Sequence, residues 1–405
     1  MLCRVGCLQP TGNSHNEWSL LLLRGLRDGR VWLAFISLQL PSLRALFKYL
    51  GEINGLLIPA YLIVALLFTS ILLNSKSFRR KLDRASTLPA FIILLLIVLA
   101  VNLWLYPIAD ARSEQGGGSN QDHALILTGQ RLWHGENPYK GDEWPHESAA
   151  AGPGWIILAS PFAASGLYVL LNPLIIALTA SLLVYIRRSI FAGVVFLLLL
   201  MSSLAFWELT VVGSDMISIG CLILMATIAV YFGWQRGGVA KALSAILLGF
   251  VATSRAVFFY LVPLLAAFQR KSKPANTFSF LLISGGVLVI LHLGFYLWTP
   301  SWYLPLHVFW KGEALLGRGI YLAAGLICLL IFFIVAKQAG RDLPSWILNS
   351  WITIFLGMTF AALGDLWSSS FQFAQWEGAN YLGIALPGYA AYLVLRNLNT
   401  KPYRA

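Results

Sequence analysis

The stretch LPAFIILLLIVLAVNLWLYPI (residues 88–108) decides the fold class, because it is a long apolar run that contains no charged residue. An apolar segment of about 20 residues can cross a hydrocarbon core of ~30 Å as an α-helix. Similar runs recur along the chain, which is 58% hydrophobic and only 11% charged, whereas soluble domains carry roughly 25% charged residues. The sequence therefore predicts an all-α polytopic membrane protein.

The apolar runs predict nine crossing helices, near residues 53–74, 88–108, 166–186, 189–207, 213–233, 276–298, 319–336, 345–363 and 378–396. With a half-length helix pair described below, the expected total is about 11 transmembrane helices, within a range of roughly 10–13. Residues 51–400 are expected to form a single transmembrane domain. Residues 1–50 form an N-terminal extension, which we interpret as an interfacial helix, an extra crossing, or a start upstream of the true protein.

Charge predicts the orientation, because Lys and Arg concentrate in cytoplasmic loops. Basic clusters occupy residues 75–84, 187–188, 235–241, 269–273, 337–341 and the C-terminal tail. The alternate loops, 109–165, 208–215, 299–318 and 364–377, hold twelve of the 17 acidic residues: Asp110, Glu114, Asp122, Glu136, Asp142, Glu143, Glu147, Glu208, Asp215, Glu313, Asp365 and Glu377. We therefore expect a multi-pass protein of a bacterial plasma (inner) membrane, with loop 109–165 extracytoplasmic.

The charge and cysteine patterns exclude nucleic-acid binding, a disulfide framework and a cysteine metal site. The net charge of +12 is spread over short loops, and no nucleic-acid-binding motif accompanies it. Cys221 and Cys328 fall inside apolar runs, and Cys3 and Cys7 have no partner ligands in sequence. The four cysteines therefore form neither a disulfide framework nor a metal site.

Residues 241–268, KALSAILLGFVATSRAVFFYLVPLLAAF, break the alternation because basic clusters flank both ends. Two half-length helices place both basic ends at the cytoplasmic face if the chain turns back near Thr253-Ser254-Arg255 and returns through Pro263. An arginine in apolar surroundings marks a functional site by default. The alternative is that Arg255 snorkels or pairs with an internal carboxylate for structural reasons.

The stretch NQDHALILTGQRLWHGENPY (120–139) predicts a structured lid within the first outer loop. Residues 122–134 suit a helix that Gly135 and Pro138 end. The apolar segment 151–162 is then expected to re-enter the membrane without crossing it. Asp122 has two interpretations on spacing alone. It can serve a capping box with Ser119 as N-cap, or it can be a catalytic carboxylate.

This loop resembles the first outer loop of the GT-C superfamily of integral-membrane glycosyltransferases, in particular the polyprenol-phosphate-mannose-dependent alpha-mannosyltransferase type. In that pattern an Asp opens a segment D-x-x-x-Y-x-x-A, followed by a Gly and an N-P-Y-like end. Asp122, Gly135 and Asn137-Pro138-Tyr139 match it, whereas Leu125 and Ile126 stand where an aromatic residue is usual. The resemblance extends loosely from residue 88 to the C-terminus.

The resemblance implies a glycosyltransferase that moves a sugar from a polyprenyl-phosphate donor to a lipid or glycan acceptor at the extracytoplasmic face. Asp122 would be the general base and Arg255 would bind the donor phosphate. Further substrate-binding candidates are Asp215, His307, Lys311, Asp110 and Arg131. For these residues the alternatives are helix capping at Asp215, and an interfacial amphipathic stretch around His307 and Lys311.

No cofactor is expected. Asp110, Asp122 and Asp215 could supply oxygen ligands to a divalent cation, but the sequence contains no D-x-D motif and we favour a metal-independent enzyme. A transporter or flippase for a polyprenyl-linked lipid or small solute is the alternative, because broken helices and a buried arginine suit transporters too. Transporters usually show paired breaks, however, and the sequence indicates one. A membrane scaffold is the third possibility, and it leaves the acidic loop unexplained.

Overall fold

The computed structural model is helical and contains no strand over the residues that it describes. These residues are 28–50, 54–74, 87–112, 121–140, 151–270, 274–298, 300, 303, 305–306, 312–314, 316–338, 340 and 342–398. Within them, seven helices are long and apolar enough to cross a membrane, and a bent helix pair raises the number to eight. The chain is a polytopic helical membrane protein, as predicted. The total of about 11 transmembrane helices stays a prediction.

We number the described α-helices in chain order. The first nine are α1 (Gly29–Gln39), α2 (Ser42–Leu50), α3 (Asn54–Asn74), α4 (Thr87–Asp110), α5 (Gln121–Trp133), α6 (Pro153–Ala164), α7 (Leu171–Arg187), α8 (Ile190–Met201) and α9 (Leu204–Val211). The others are α10 (Met216–Arg236), α11 (Gly238–Ala252), α12 (Leu261–Arg270), α13 (Pro274–Trp298), α14 (Arg318–Gln338), α15 (Leu343–Ser368), α16 (Ala379–Leu382) and α17 (Leu386–Asn397).

The half-length helix pair forms where the charge pattern predicts it. Helix α11 ends at Ala252, Arg255 is extended with φ −148° and ψ 140°, and a 3-10 turn over Ala256–Phe258 precedes α12. The chain therefore turns at the predicted residues, and Arg255 lies at the tip between the two short helices.

The predicted crossing at 189–207 corresponds to a bent helix pair, because the chain bends by 83° between α8 and α9. The bend leaves backbone groups of residues 202–205 outside the helical ladder, and side chains of neighbouring helices bind them. The Tyr61 hydroxyl donates to the Ser202 carbonyl at 3.0 Å, and Ser42 Oγ accepts the N–H of Ala205 at 3.2 Å. Broken helices at membrane depth persist where protein satisfies the freed groups in this way.

Residues 28–50 pack against the rest of the protein. Asp28 contacts Arg396 at the end of α17, whereas Phe47 in α2 stacks on Phe373, with ring centroids 4.9 Å apart. Between these ends Arg44 forms an ion pair with Glu208 at 2.7 Å. Because Phe373 precedes α16 and Arg396 ends α17, the two contacts lie at opposite ends of that segment. Residues 28–50 are not among the helices long and apolar enough to cross a membrane, and the three interpretations of the extension stay predictions.

Exposed tryptophans and basic residues lie at the C-terminal ends of different helices. Exposed tryptophans lie near the C-terminal ends of α4, α13 and α15, at Trp104, Trp298 and Trp367. Basic residues occupy the last turns of α7, α10, α14 and α17. Trp belts mark both membrane interfaces and Lys and Arg mark the cytoplasmic one, so this distribution is the one expected if the loop after α4 is extracytoplasmic.

Candidate functional site

Asp122 lies in the first turn of α5 and is buried, with 1% of its surface exposed. Gly213, between α9 and α10, packs directly against it with φ +70°. A side chain at position 213 would meet the Tyr106 ring at 2.5 Å and the Asp122 carboxylate oxygen Oδ2 at 3.0 Å. Both the backbone conformation and this close approach require glycine. The Tyr168 hydroxyl holds the same residue by donating to the Gly213 carbonyl at 2.9 Å.

The environment of Asp122 favours proton transfer near neutral pH. Burial raises the pKa of Asp122 to about 6, although the Tyr106 hydroxyl and the backbone N–H of His123 act as donors to its ionised carboxylate. Its Oδ1 atom is buried and accepts no hydrogen bond from the described residues. A carboxylate with one free oxygen and a pKa near the working pH has the properties of a general base.

Asp110 and His123 flank this carboxylate. The His123 Nε2 atom lies 3.6 Å from Asp110 Oδ1. The ligand atoms of Asp110, Asp122 and His123 all lie within 4.8 Å of one another, which is close enough for these groups to hold a metal ion. Asp215, which the sequence placed with Asp110 and Asp122 as a possible cation ligand, is not part of this cluster. His123 takes its place.

Asp215 instead pairs with Arg255. The Arg255 Nη2 atom donates to both carboxylate oxygens of Asp215, at 2.9 and 3.1 Å. The exposed fractions of the two side chains are 17% for Arg255 and 2% for Asp215. Asp215 occupies the N-cap position of α10 but makes no capping hydrogen bond, so capping does not explain it. Arg255 therefore has an internal carboxylate partner, which was the structural alternative in the sequence.

Tyr168 lies between the acidic and basic parts of the site. Its hydroxyl is within electrostatic range of Asp122, Asp215, Tyr106 and Arg255. Two buried carboxylates and one arginine thus share one region, and Asp215 already balances the Arg255 charge. Any phosphate contact of Arg255 would use guanidinium atoms that Asp215 leaves available, and the buried Nε donates no hydrogen bond to the described residues.

The other predicted residues are less central. Arg131 donates to the Lys140 carbonyl and so closes the turn that follows α5, together with Tyr139, whose hydroxyl donates to the Ala151 carbonyl at 3.0 Å. His307 and Lys311 lie outside the described residues, as does Ser119, the N-cap of the capping interpretation. Sequence reasoning missed Tyr106, Tyr168, Gly213 and His123. Tyr106 could have been found, because it lies one helical turn before Asp110 on α4.

Comparison of the chain with known protein families, with curated proteins and with solved structures finds no match. Any assignment of function therefore rests on the residues of the loop and on the geometry described above.

Proposed function

We propose that this protein is a membrane glycosyltransferase that moves a sugar from a polyprenyl-phosphate donor to a lipid or glycan acceptor at the extracytoplasmic face. The observation that supports this proposal most is the Asp122 carboxylate. It is buried, its pKa is raised to about 6, and one of its oxygens accepts no hydrogen bond from the described residues. The resemblance of its loop to the GT-C superfamily supports the same reaction class.

In the proposed reaction an acceptor hydroxyl attacks the anomeric carbon of the donor sugar. Asp122 takes the hydroxyl proton, the new oxygen–carbon bond forms, and the bond from the anomeric carbon to the phosphate oxygen breaks. The polyprenyl phosphate leaves with that electron pair. Because the phosphate is a weak base at neutral pH, the reaction needs no general acid, which fits a site where Asp122 is the one base that we assign.

Arg255 stabilises the departing phosphate in this proposal. Asp215 orients the guanidinium by accepting from Nη2, so it contributes to donor binding through Arg255. Asp110 lies close enough to Asp122 to contact the acceptor, whereas Arg131 acts by holding the turn after α5.

The test is transfer of radiolabelled sugar from a polyprenyl-phosphate donor to lipid extract by the purified protein in detergent. We expect transfer by the wild-type protein and by Glu136→Gln, which changes an exposed acid of the same loop. We expect Asp122→Asn to lose almost all transfer, by about 10²–10⁴-fold. Absence of transfer with all common hexose and pentose donors would refute the proposal.

The extracytoplasmic location has its own test. Glu136 is exposed at the end of α5, so a cysteine at this position should react with an impermeant thiol reagent in intact cells. Protection until lysis would reverse the orientation and contradict the proposed site.

One observation favours the alternative, a transporter or flippase. The bend between α8 and α9 is a second helix break, and paired breaks are typical of transporters. Its hydrogen bonds are satisfied by Tyr61 and Ser42, which supports a structural role. Lipid scrambling or solute flux in liposomes, without sugar transfer, would establish the alternative.

A further inference from the structure

The segment Gly152-Pro153-Gly154, at the start of α6, lies directly on the tip that carries Arg255. The Gly152 N–H donates to the Ser254 carbonyl at 2.8 Å. The Gly154 N–H donates to Thr253 Oγ1, also at 2.8 Å. Thr253 and Ser254 are buried, so these two contacts are shielded from water. The outer loop is therefore bonded to the residues that immediately precede Arg255.

The approach is too close for any residue with a side chain. A Cβ atom at Gly152 would lie 1.6 Å from the Thr253 carbonyl oxygen, and one at Gly154 would lie 2.3 Å from the Phe250 carbonyl oxygen. Both obstacles are backbone atoms, so they cannot move aside as a flexible side chain does. Here glycine is required by the contact, since Gly152 has φ −80° and no unusual backbone conformation.

The same outer loop also carries Asp122. Helices α5 and α6 pack tightly, because a Cβ atom at Gly129 in α5 would lie 2.7 Å from Ala163 Cβ in α6. The Tyr139 hydroxyl ties the turn after α5 to Ala151, just before α6. Helices α5 and α6 thus connect Asp122, at the start of α5, to the tip that carries Arg255, which contacts the start of α6.

We propose that Gly152, Gly154 and Thr253 are positioning residues, which set the location of the Arg255 guanidinium relative to Asp122. We call these three residues the clasp. Asp215 fixes the Arg255 side chain, and the clasp fixes the backbone from which that side chain projects. The catalytic meaning of this inference rests on the proposed function, whereas the attachment of the loop to the tip can be tested without it.

Thr253 offers a matched pair of variants. Thr253→Val keeps the side-chain volume and leaves the Gly154 N–H without its acceptor, whereas Thr253→Ser keeps the hydroxyl. We expect Thr253→Val to raise the KM for the polyprenyl-phosphate donor about tenfold with a smaller change in kcat, as loss of a buried hydrogen bond implies. Thr253→Ser should retain the wild-type KM. A merely structural role would lower the amount of folded enzyme and leave the KM unchanged.

Gly154→Ala should have a larger effect, a loss of about 100-fold in kcat/KM, because small displacements of a reacting group are costly. Gly294→Ala is its control, since a Cβ atom there meets nothing within 4 Å, and it should behave as wild type. Hydrogen exchange provides the readout that is independent of activity. Amides of residues 250–258 should exchange faster in Thr253→Val and Gly154→Ala than in the wild type.

Equal KM values and equal exchange in Thr253→Val and Thr253→Ser would overturn the inference. If the wild-type protein transfers no sugar, the proposed function fails, and the exchange data alone then decide whether the clasp holds the tip. If transfer occurs and the exchange is unchanged in Thr253→Val and Gly154→Ala, the proposed function stands and the clasp is refuted.

Discussion

Asp122 and Asp215 are both buried carboxylates at the start of a helix, with 1% and 2% of their surfaces exposed. Asp215 is paired with Arg255 at 2.9 Å. The Asp122 carboxylate accepts hydrogen bonds from the Tyr106 hydroxyl and a backbone N–H. No lysine or arginine of the described residues forms an ion pair with it. The difference separates their roles, because a neutralised carboxylate orients a partner, whereas an unneutralised one can take a proton.

The largest effect is expected from Asp122→Asn. The amide keeps the size of the side chain but cannot accept a proton, so we expect loss of about 10²–10⁴-fold in transfer rate. The melting temperature should not fall at pH 7.5. The pKa of Asp122 is raised in the folded protein, so its ionisation above pH 6 opposes folding, and the amide removes that penalty.

Activity and melting temperature distinguish the base from a cap. A variant that unfolds more easily but retains specific activity would make Asp122 a helix cap, and its contrast with Asp215 would disappear.

Seven of the nine predicted crossings correspond to described helices long and apolar enough to span a membrane, and the tip lies where it was predicted, since both follow from local hydropathy and from the charge of short loops. The predicted crossing at 378–396 is instead divided among α16, a 3-10 turn and α17. The sequence could not predict the Asp215–Arg255 pair or the His123 contact with Asp110, because each depends on helices packing across the chain. The bend after Met201 was also missed. The run 189–207 is apolar throughout, and the groups that bind its exposed backbone, such as Tyr61, lie far away in sequence.

The next largest effect is expected from removing Arg255, the ion-pair partner of Asp215. Arg255→Ala should weaken donor binding about tenfold to 100-fold. It should also lower stability by ~3–5 kcal/mol, because Asp215 stays buried without its cation. Arg255→Lys should be milder in both respects, since it keeps the charge but loses the planar guanidinium. Donor titration and thermal unfolding measure the two quantities separately.

A double variant sharpens this prediction. Arg255→Ala combined with Asp215→Asn removes both charges, so stability should recover while donor affinity stays low. Recovery of donor affinity in the double variant would show that Arg255 serves only to neutralise Asp215.

The smallest effect is expected from chelation. The proposed chemistry needs a carboxylate base and no Lewis acid, so EDTA should leave the transfer rate unchanged. The groups of Asp110, Asp122 and His123 nevertheless lie within 4.8 Å of one another. Loss of transfer in EDTA, restored by Mn²⁺ or Mg²⁺ and diminished by His123→Ala, would show that these groups bind a cation and that Asp122 acts as its ligand.

The pH dependence of kcat/KM tests the central claim most directly, because it reports the ionisation of the base in the free enzyme. Burial raises the pKa of Asp122 to about 6, and the base acts in its ionised form. We predict that kcat/KM is constant above that pH and falls about tenfold per unit below it. A profile that stays flat down to pH 4.5, with the protein still folded, would contradict the assignment of Asp122 as the general base.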